Sequence, residues 1–494
     1  MAIPKVMGTE IEYGITVKND RDFDPISSCV LLVNSYREDS TAKILWDYDQ
    51  ENPLADARGF QVEGEKYTPN QQENIARNKT LANGARYYVD HAHPEYSCPE
   101  VTNARDLVIF EKAGERVVEL SRRAANRVLP PGTQMLIYKN NSDRKGNSYG
   151  SHENYLMDRR TSFKQIVEHL MPFFVSRQVY SGAGKVGSEN RAHPCEYQLS
   201  QRADFFETEV ALDTMVKRPI INTRDEPHAD REKYRRLHVI VGDANMAELS
   251  IYLRNGATAL VLAMIEDGAV DRDLSLRDPV KAIKEVSHDP TCRREVELQS
   301  GRRLNAVQLQ AEYLEMAQRY VTGRETDPGA KDVLAYWERV VTALARDPME
   351  LADQLDWVAK KALIEGFMTR KGLDWDSPQV QMLDLQYHDL RSDKSLYYLL
   401  ERQGKIQRLV ADEEIERAVH HPPEDTRAYF RGECLRRYGA QVFGVNWDSI
   451  SFGIGDEPIK RVLMAEPLKG SRRHVEDLFR SSPSAAELVR NLKS

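Results

Sequence analysis

GTEIEYG, residues Gly8 to Gly14, is the stretch on which the fold turns. It lies in a longer alternating run, Lys5 to Thr16. There Met7, Thr9, Ile11, Tyr13 and Ile15 fall on one side of a β-strand and Glu10 and Glu12 on the other. Two carboxylates at i and i+2 of a strand leave the same face roughly 6–7 Å apart. Their repulsion makes burial costly unless a cation lies between them. Hard cations such as Mg²⁺ select oxygen ligands. Taken alone, the pair also fits the solvated outer face of an edge strand.

The next strand shifts that balance. In Ala85 to Asp90, Arg86, Tyr88 and Asp90 share one face and Tyr87 and Val89 the other; Glu95 and Glu100 follow in the irregular rim His91 to Glu100. Two strands, each polar on one face and apolar on the other, predict a sheet with a site on one side and helices packed on the other. Asp90, beside an aromatic hydroxyl and an Arg, has the surroundings of a nucleophile or a base. Further strand patterns bring Ser151-His152-Glu153-Asn154 (within Tyr149 to Met157) and His238 (in RLHVIVGDAN). One strand histidine is usually structural; two on strands completing the same sheet are candidate ligands. Arg224 in NTRDEPHAD, with Arg231, Arg235 and Arg236 nearby, offers a bidentate clamp for phosphate or carboxylate, or is simply part of a charged loop.

Around these strands the spacing predicts helices. Asp24-Pro25 starts one, Ala104 to Val128 is a long amphipathic one burying Leu107, Phe110, Val117, Val118 and Leu120, and Phe163 to Phe174 and Thr258 to Glu266 are others. Pro279 to Leu400 reads as helical throughout. The polar, Pro- and Gly-broken stretch 38–83 lacks periodicity and reads as a mobile insertion. After His420-His421-Pro422-Pro423 comes a short strand pattern, VFGVNWDSISF, and a polar helical tail. Gly182-Ala183-Gly184-Lys185-Val186-Gly187 fits GxGxxG, but Val186 stands where a phosphate loop needs Ser or Thr and no apolar helix follows, so it reads as a turn.

Composition bounds the answer. The 494 residues carry 69 Lys+Arg against 77 Asp+Glu, net −8, which disfavours general nucleic-acid or anionic-membrane binding. No apolar run reaches a membrane-spanning length, and the N-terminus has no secretory pattern. The five cysteines are far apart with no CxxC, the usage of a soluble protein in a reducing, cytoplasmic compartment.

Together, GTEIEYG, ARYYVDHAHPEYSCPE (Ala85 to Glu100), SHENY (Ser151 to Tyr155), RPIINTRDEPHAD (Arg218 to Asp230), RLHVIVGDAN (Arg236 to Asn245) and VNWDS (Val445 to Ser449) resemble the Pup ligase and deamidase family. The resemblance implies an α+β fold like that of glutamine synthetase, a curved, mostly antiparallel sheet with helices on its convex face. It divides the chain into a catalytic domain, 1–425, and a small C-terminal domain, 426–494. The text GTEIEYG and VDHAHPEY, and the 38–83 insertion, resemble the branch that deamidates the C-terminal Gln of Pup and hydrolyses the Pup–lysine isopeptide. The alternative is the branch that forms this bond with ATP hydrolysis. By resemblance, Mg²⁺ is held by Glu10, Glu12, Tyr88 and Glu95, with His152 and His238 as further metal or phosphate ligands. ATP meets Arg86, Ser97 and Trp447, and Arg224 lies near its phosphates or the Pup carboxylates. Asp90 is the catalytic aspartate. The implied cofactors are ATP and Mg²⁺, and the implied partners are Pup and pupylated proteins.

Overall fold

The computed structural model describes residues 1–37, 44–49, 51–64, 68–214, 217–322, 324 and 328–492. Its centre is a six-stranded sheet built from β1 (Met7–Glu12), β2 (Asn78–Thr80), β3 (Arg86–Asp90), β4 (His93–Ser97), β5 (Ser151–Asp158) and β6 (Tyr234–Val239), in the order β6-β5-β1-β4-β3-β2. Every neighbouring pair is antiparallel. Ile11, Tyr87, Tyr96, Tyr155 and Leu237 are buried on one face, where helices α1 (Pro25–Ser35), α2 (Ala104–Ala125), α3 (Phe163–Ser181) and α4 (Glu248–Glu266) contribute to the same apolar core. The fold is thus α+β, as the resemblance to the family implies.

Local chemistry sets the element ends. The Asp24 side chain accepts from the Ser27 N–H and Pro25 opens α1; Asn103 caps α2 through the Asp106 N–H. The run Lys5 to Thr16 divides after Glu12. Gly14–Lys18 leaves the main sheet to pair with Gln134–Tyr138, and Tyr149 and Asn140 crowd Gly14 so closely that a Cβ there would lie 2.4 Å from the Tyr149 hydroxyl. Three helical expectations change. Leu120 is 43% exposed rather than buried, α3 runs on to Ser181, and α4 begins ten residues before Thr258. The hairpin Glu295–Glu297/Arg303–Asn305 interrupts the otherwise helical 279–400 region.

Behind the sheet lies a buried charge network. Lys139 Nζ sits 2.9 Å from Glu111 and 2.8 Å from Glu115, Arg254 pairs with Glu111, and Arg177 grips both oxygens of Glu153 at 2.6 and 2.8 Å. Glu153 faces the helices while its neighbours His152 and Asn154 face the other way, as strand alternation dictates. Replacing Glu153 by Ala strands the buried Arg177 guanidinium without its counter-charge, while Arg254 keeps Glu111. We expect a loss of about 3–5 kcal/mol in denaturant unfolding.

The aperiodic stretch 38–83 is not devoid of structure: it contains a helix, Gln71–Arg77, and the edge strand β2. Residues 38–43, 50 and 65–67 of the predicted mobile insertion lie outside the described residues. Leu45–Trp46 pairs in parallel with Val442–Asn446, joining a second sheet completed by Ser449–Phe452 and Lys460–Leu463. A separate apolar cluster including Phe430, Leu435, Ile450 and Phe479 supports it. Arg427 and Arg431 fasten this unit to Glu100 at the end of β4. Burial works to raise that carboxyl, but the two guanidiniums hold it down at about 2. No helix among the described residues is long and apolar enough to cross a membrane.

Candidate active site

The register places the predicted polar residues in adjoining rows. Glu10 stands opposite His152 on one side and Ser97 on the other; Glu12 is opposite Glu95, Tyr88 opposite Glu95, Arg86 opposite Ser97, and Asn154 opposite His238. Strand alternation and this register together gather these side chains on the face away from the core.

Two groups of donors form there. Ligand atoms of Glu12, Asp90 and Glu95 lie within 4.8 Å of one another, and so do those of Glu10, His152 and His238. Burial, then Asp90, Glu10 and Glu12, push the Glu95 carboxyl well above its ordinary range, and the Tyr88 hydroxyl donates to it at 2.7 Å. Burial also opposes ionisation of Glu10, but His152, His238 and Arg236 outweigh it and hold the group well below the usual range. Glu12 is held at about 2, chiefly by His93 and His152 against burial. The Glu12–Asp90–Glu95 carboxylates suit a divalent cation, which would offset their mutual repulsion. Desolvation keeps His238 neutral. The side-chain oxygen of Asn154 faces His238 Nδ1 at 3.0 Å and accepts from Arg236 at 2.6 Å. The Arg236 guanidinium also lies 3.3 Å from that nitrogen, so the Nδ1 side of His238 faces an acceptor and a donor together.

Asp90 differs from the other acids. Its side chain is 36% exposed, against 20% for Glu10 and 12% for Glu12. It is the carboxylate an incoming molecule meets first.

The nucleotide-side candidates sit beside it. Arg86 is buried, its guanidinium 4.0 Å from the Trp46 ring and 3.8 Å from the Tyr88 ring, and it donates to Asn78 and to the Tyr48 hydroxyl. Ser97, Glu10, Arg236 and Trp447 line one cavity between the sheet and the C-terminal unit. Trp447 packs edge-on against Trp46 at 5.3 Å, and Arg431 lies 5.1 Å from its ring. Arg224 Nε is buried with no hydrogen-bond partner among the described residues, a donor suited to a phosphate or carboxylate. Of its predicted companions only Arg236 joins the site; Arg235 faces the other way and donates to the Thr161 carbonyl. Lys185 of the GxGxxG turn pairs with Glu189 at 2.5 Å, away from these residues.

Four further residues belong to the site. His93 contacts Glu12 at 3.4 Å and stacks on Tyr149 at 4.4 Å; Asn154 bonds Glu10 at 2.8 Å. Both are legible as i±2 neighbours of Glu95 and His152. Tyr48 and Asn78 come from the aperiodic stretch and carry no such signal.

A sheet that packs helices behind it and gathers acids, imidazoles and a half-open carboxylate in front defines an enzyme. The chain belongs to the Pup ligase family: the model described as Pup-ligase protein matches residues 5–451. It is 53% identical to the depupylase of Acidothermus cellulolyticus over 98% of both chains, and 49% identical to the Pup deamidase/depupylase of Mycolicibacterium smegmatis over 99% of both. Among solved structures it is similar to the complex between Pup and its ligase PafA (TM-score 0.82, 33% identity, 97% of this chain and 92% of that one). It also resembles PafA with ADP (TM-score 0.75, 34% identity, 87% of this chain and 97% of that one).

Proposed function

We propose that this protein is a Pup deamidase and depupylase, an enzyme that hydrolyses the C-terminal glutamine amide of Pup and the isopeptide bond between Pup and a substrate lysine. The observation that carries the reading is Asp90, the most open of four clustered carboxylates, on the polar face of a chain about half identical to deamidases and depupylases along its whole length. We assign ATP to the side of the face bordered by Ser97 and Trp447, with Arg86 and Arg224 as the cations offered to its phosphates; the similarity to a ligase solved with ADP supports a nucleotide on this fold. We assign Mg²⁺ to Glu10, Glu12, Tyr88, Glu95, His152 and His238, a reading supported by the grouping of Glu10 with the two histidines and of Glu12 with Glu95; there it would supply Lewis-acid stabilisation of negative charge.

Asp90 attacks the amide carbon or takes the proton of an attacking water. An arginine of this face would stabilise the oxyanion. When water attacks, its proton goes to the nitrogen, which leaves as ammonia or the lysine amine, and its hydroxyl stays on the acyl carbon. When Asp90 attacks, the nitrogen leaves with a proton from solvent as a mixed anhydride forms, and water then cleaves that anhydride to the acid and free Asp90. The proposed division is a catalytic domain, 1–425, and a C-terminal domain, 426–494, with the 38–83 segment bordering the nucleotide side. Five free cysteines fit a cytoplasmic enzyme.

The test is to incubate the protein with ATP, Mg²⁺ and Pup ending in Gln, then weigh Pup and count ADP. Exchange of NH₂ for OH without stoichiometric ADP supports the hydrolase; Pup ending in Gln left unchanged, with ADP formed one for one with a Pup–lysine product once Pup ending in Glu and a lysine-bearing protein are supplied, supports the ligase. Trp447→Ala is expected to weaken nucleotide binding by about 1–3 kcal/mol, roughly five- to 150-fold, through lost stacking on the base. Titration with a fluorescent ADP measures it.

A further inference from the structure

The connection between β3 and β4 is the two-residue turn His91-Ala92. His91 has φ 49°, in the left-handed region that favours glycine and asparagine. Its side chain is 63% exposed, so packing does not hold it there. Among the described residues its ring makes one hydrogen bond, from Nδ1 to Asp90 Oδ2 at 3.0 Å. A residue in an unfavourable backbone conformation, with no core to fill, is thus directed at the most open carboxylate of the site. Asp90 has reason to need such a partner. The terminal torsion of an aspartate is broad and weakly restrained, so an unheld carboxylate turns freely and seldom presents one oxygen to a reacting carbon.

We propose that His91 is a positioning residue for Asp90: its Nδ1–H donates to Oδ2, fixes the carboxylate plane and leaves Oδ1 to meet the substrate. The inference rests on the deamidase reading above.

The atoms that do this suggest the experiment. The Asn side-chain nitrogen lies the same number of bonds from Cα as His Nδ1, whereas the Gln nitrogen lies one bond further, matching Nε2. His91→Gly, His91→Gln and His91→Asn are compared for ammonia release from Pup ending in Gln, beside Asp90→Asn. H91G and H91Q are expected to lose about tenfold in kcat with KM unchanged, while H91N keeps most of it. H91G and H91N should melt at or above the wild-type temperature, because both suit the left-handed turn. H91N as impaired as H91G, or H91G fully active beside an inactive D90N, overturns this inference alone. An active D90N removes the deamidase reading of Asp90 and this inference with it.

Discussion

Asp90→Asn is expected to lower the turnover of Pup ending in Gln by about 10³-fold or more while leaving the fold intact. The substitution keeps the size and one carbonyl-type oxygen but removes the negative charge, and an amide neither attacks an acyl carbon nor takes a proton from water. Asp90 is part-exposed at a strand end, and the one hydrogen bond of its side chain among the described residues is to exposed His91. Little stability therefore depends on it. Nucleotide binding should persist, because the cavity beside Ser97 and Trp447 does not include this residue. Ammonia release and fluorescent ADP titration on the same preparation separate the two properties. Activity within about tenfold of wild type would remove Asp90 from the chemistry.

Gly150→Ala is the second large effect, and it comes from space alone. A Cβ at Gly150 would lie 2.3 Å from His152 Nε2 and 2.6 Å from Glu12 Oε1. Both side chains must move, and both belong to the donor groups that converge on the face. Displacements of this order cost around 10²-fold where groups act by position, so kcat/KM should fall about a hundredfold. The colliding atoms are side-chain ends rather than backbone, so the melting temperature should change little. Near-normal activity would mean that Glu12 and His152 have room that this arrangement denies them.

These effects show what the chain reveals before folding. A period of two is enough to put Glu10 with Glu12, Arg86 with Tyr88 and Asp90, and Arg236 with His238 on common faces, because side chains on a strand alternate strictly. The rule also excludes Arg235. The order of strands is a different matter. That β5 and β4 flank β1, bringing His152 and Ser97 to either side of Glu10, depends on long-range pairing that no local pattern encodes. Resemblance to the family supplied those partners. Trp46, Tyr48 and Asn78 are the clearest omissions: they surround Arg86 from a stretch without periodicity, and only the folded chain places them there. Local strain was equally hidden, since neither the crowding at Gly150 nor the left-handed turn at His91 has a compositional signature.

The central claim is that the polar face of the six-stranded sheet is where a divalent cation, a nucleotide and the amide meet. Crystals grown with Mn²⁺ in place of Mg²⁺ and with ADP, measured for anomalous scattering from manganese, test it most directly. The account predicts peaks among Glu10, Glu12, Glu95 and the two histidines, with the nucleotide reaching toward Trp447. Manganese and ADP bound elsewhere on the molecule, with those acids left facing solvent, would contradict it.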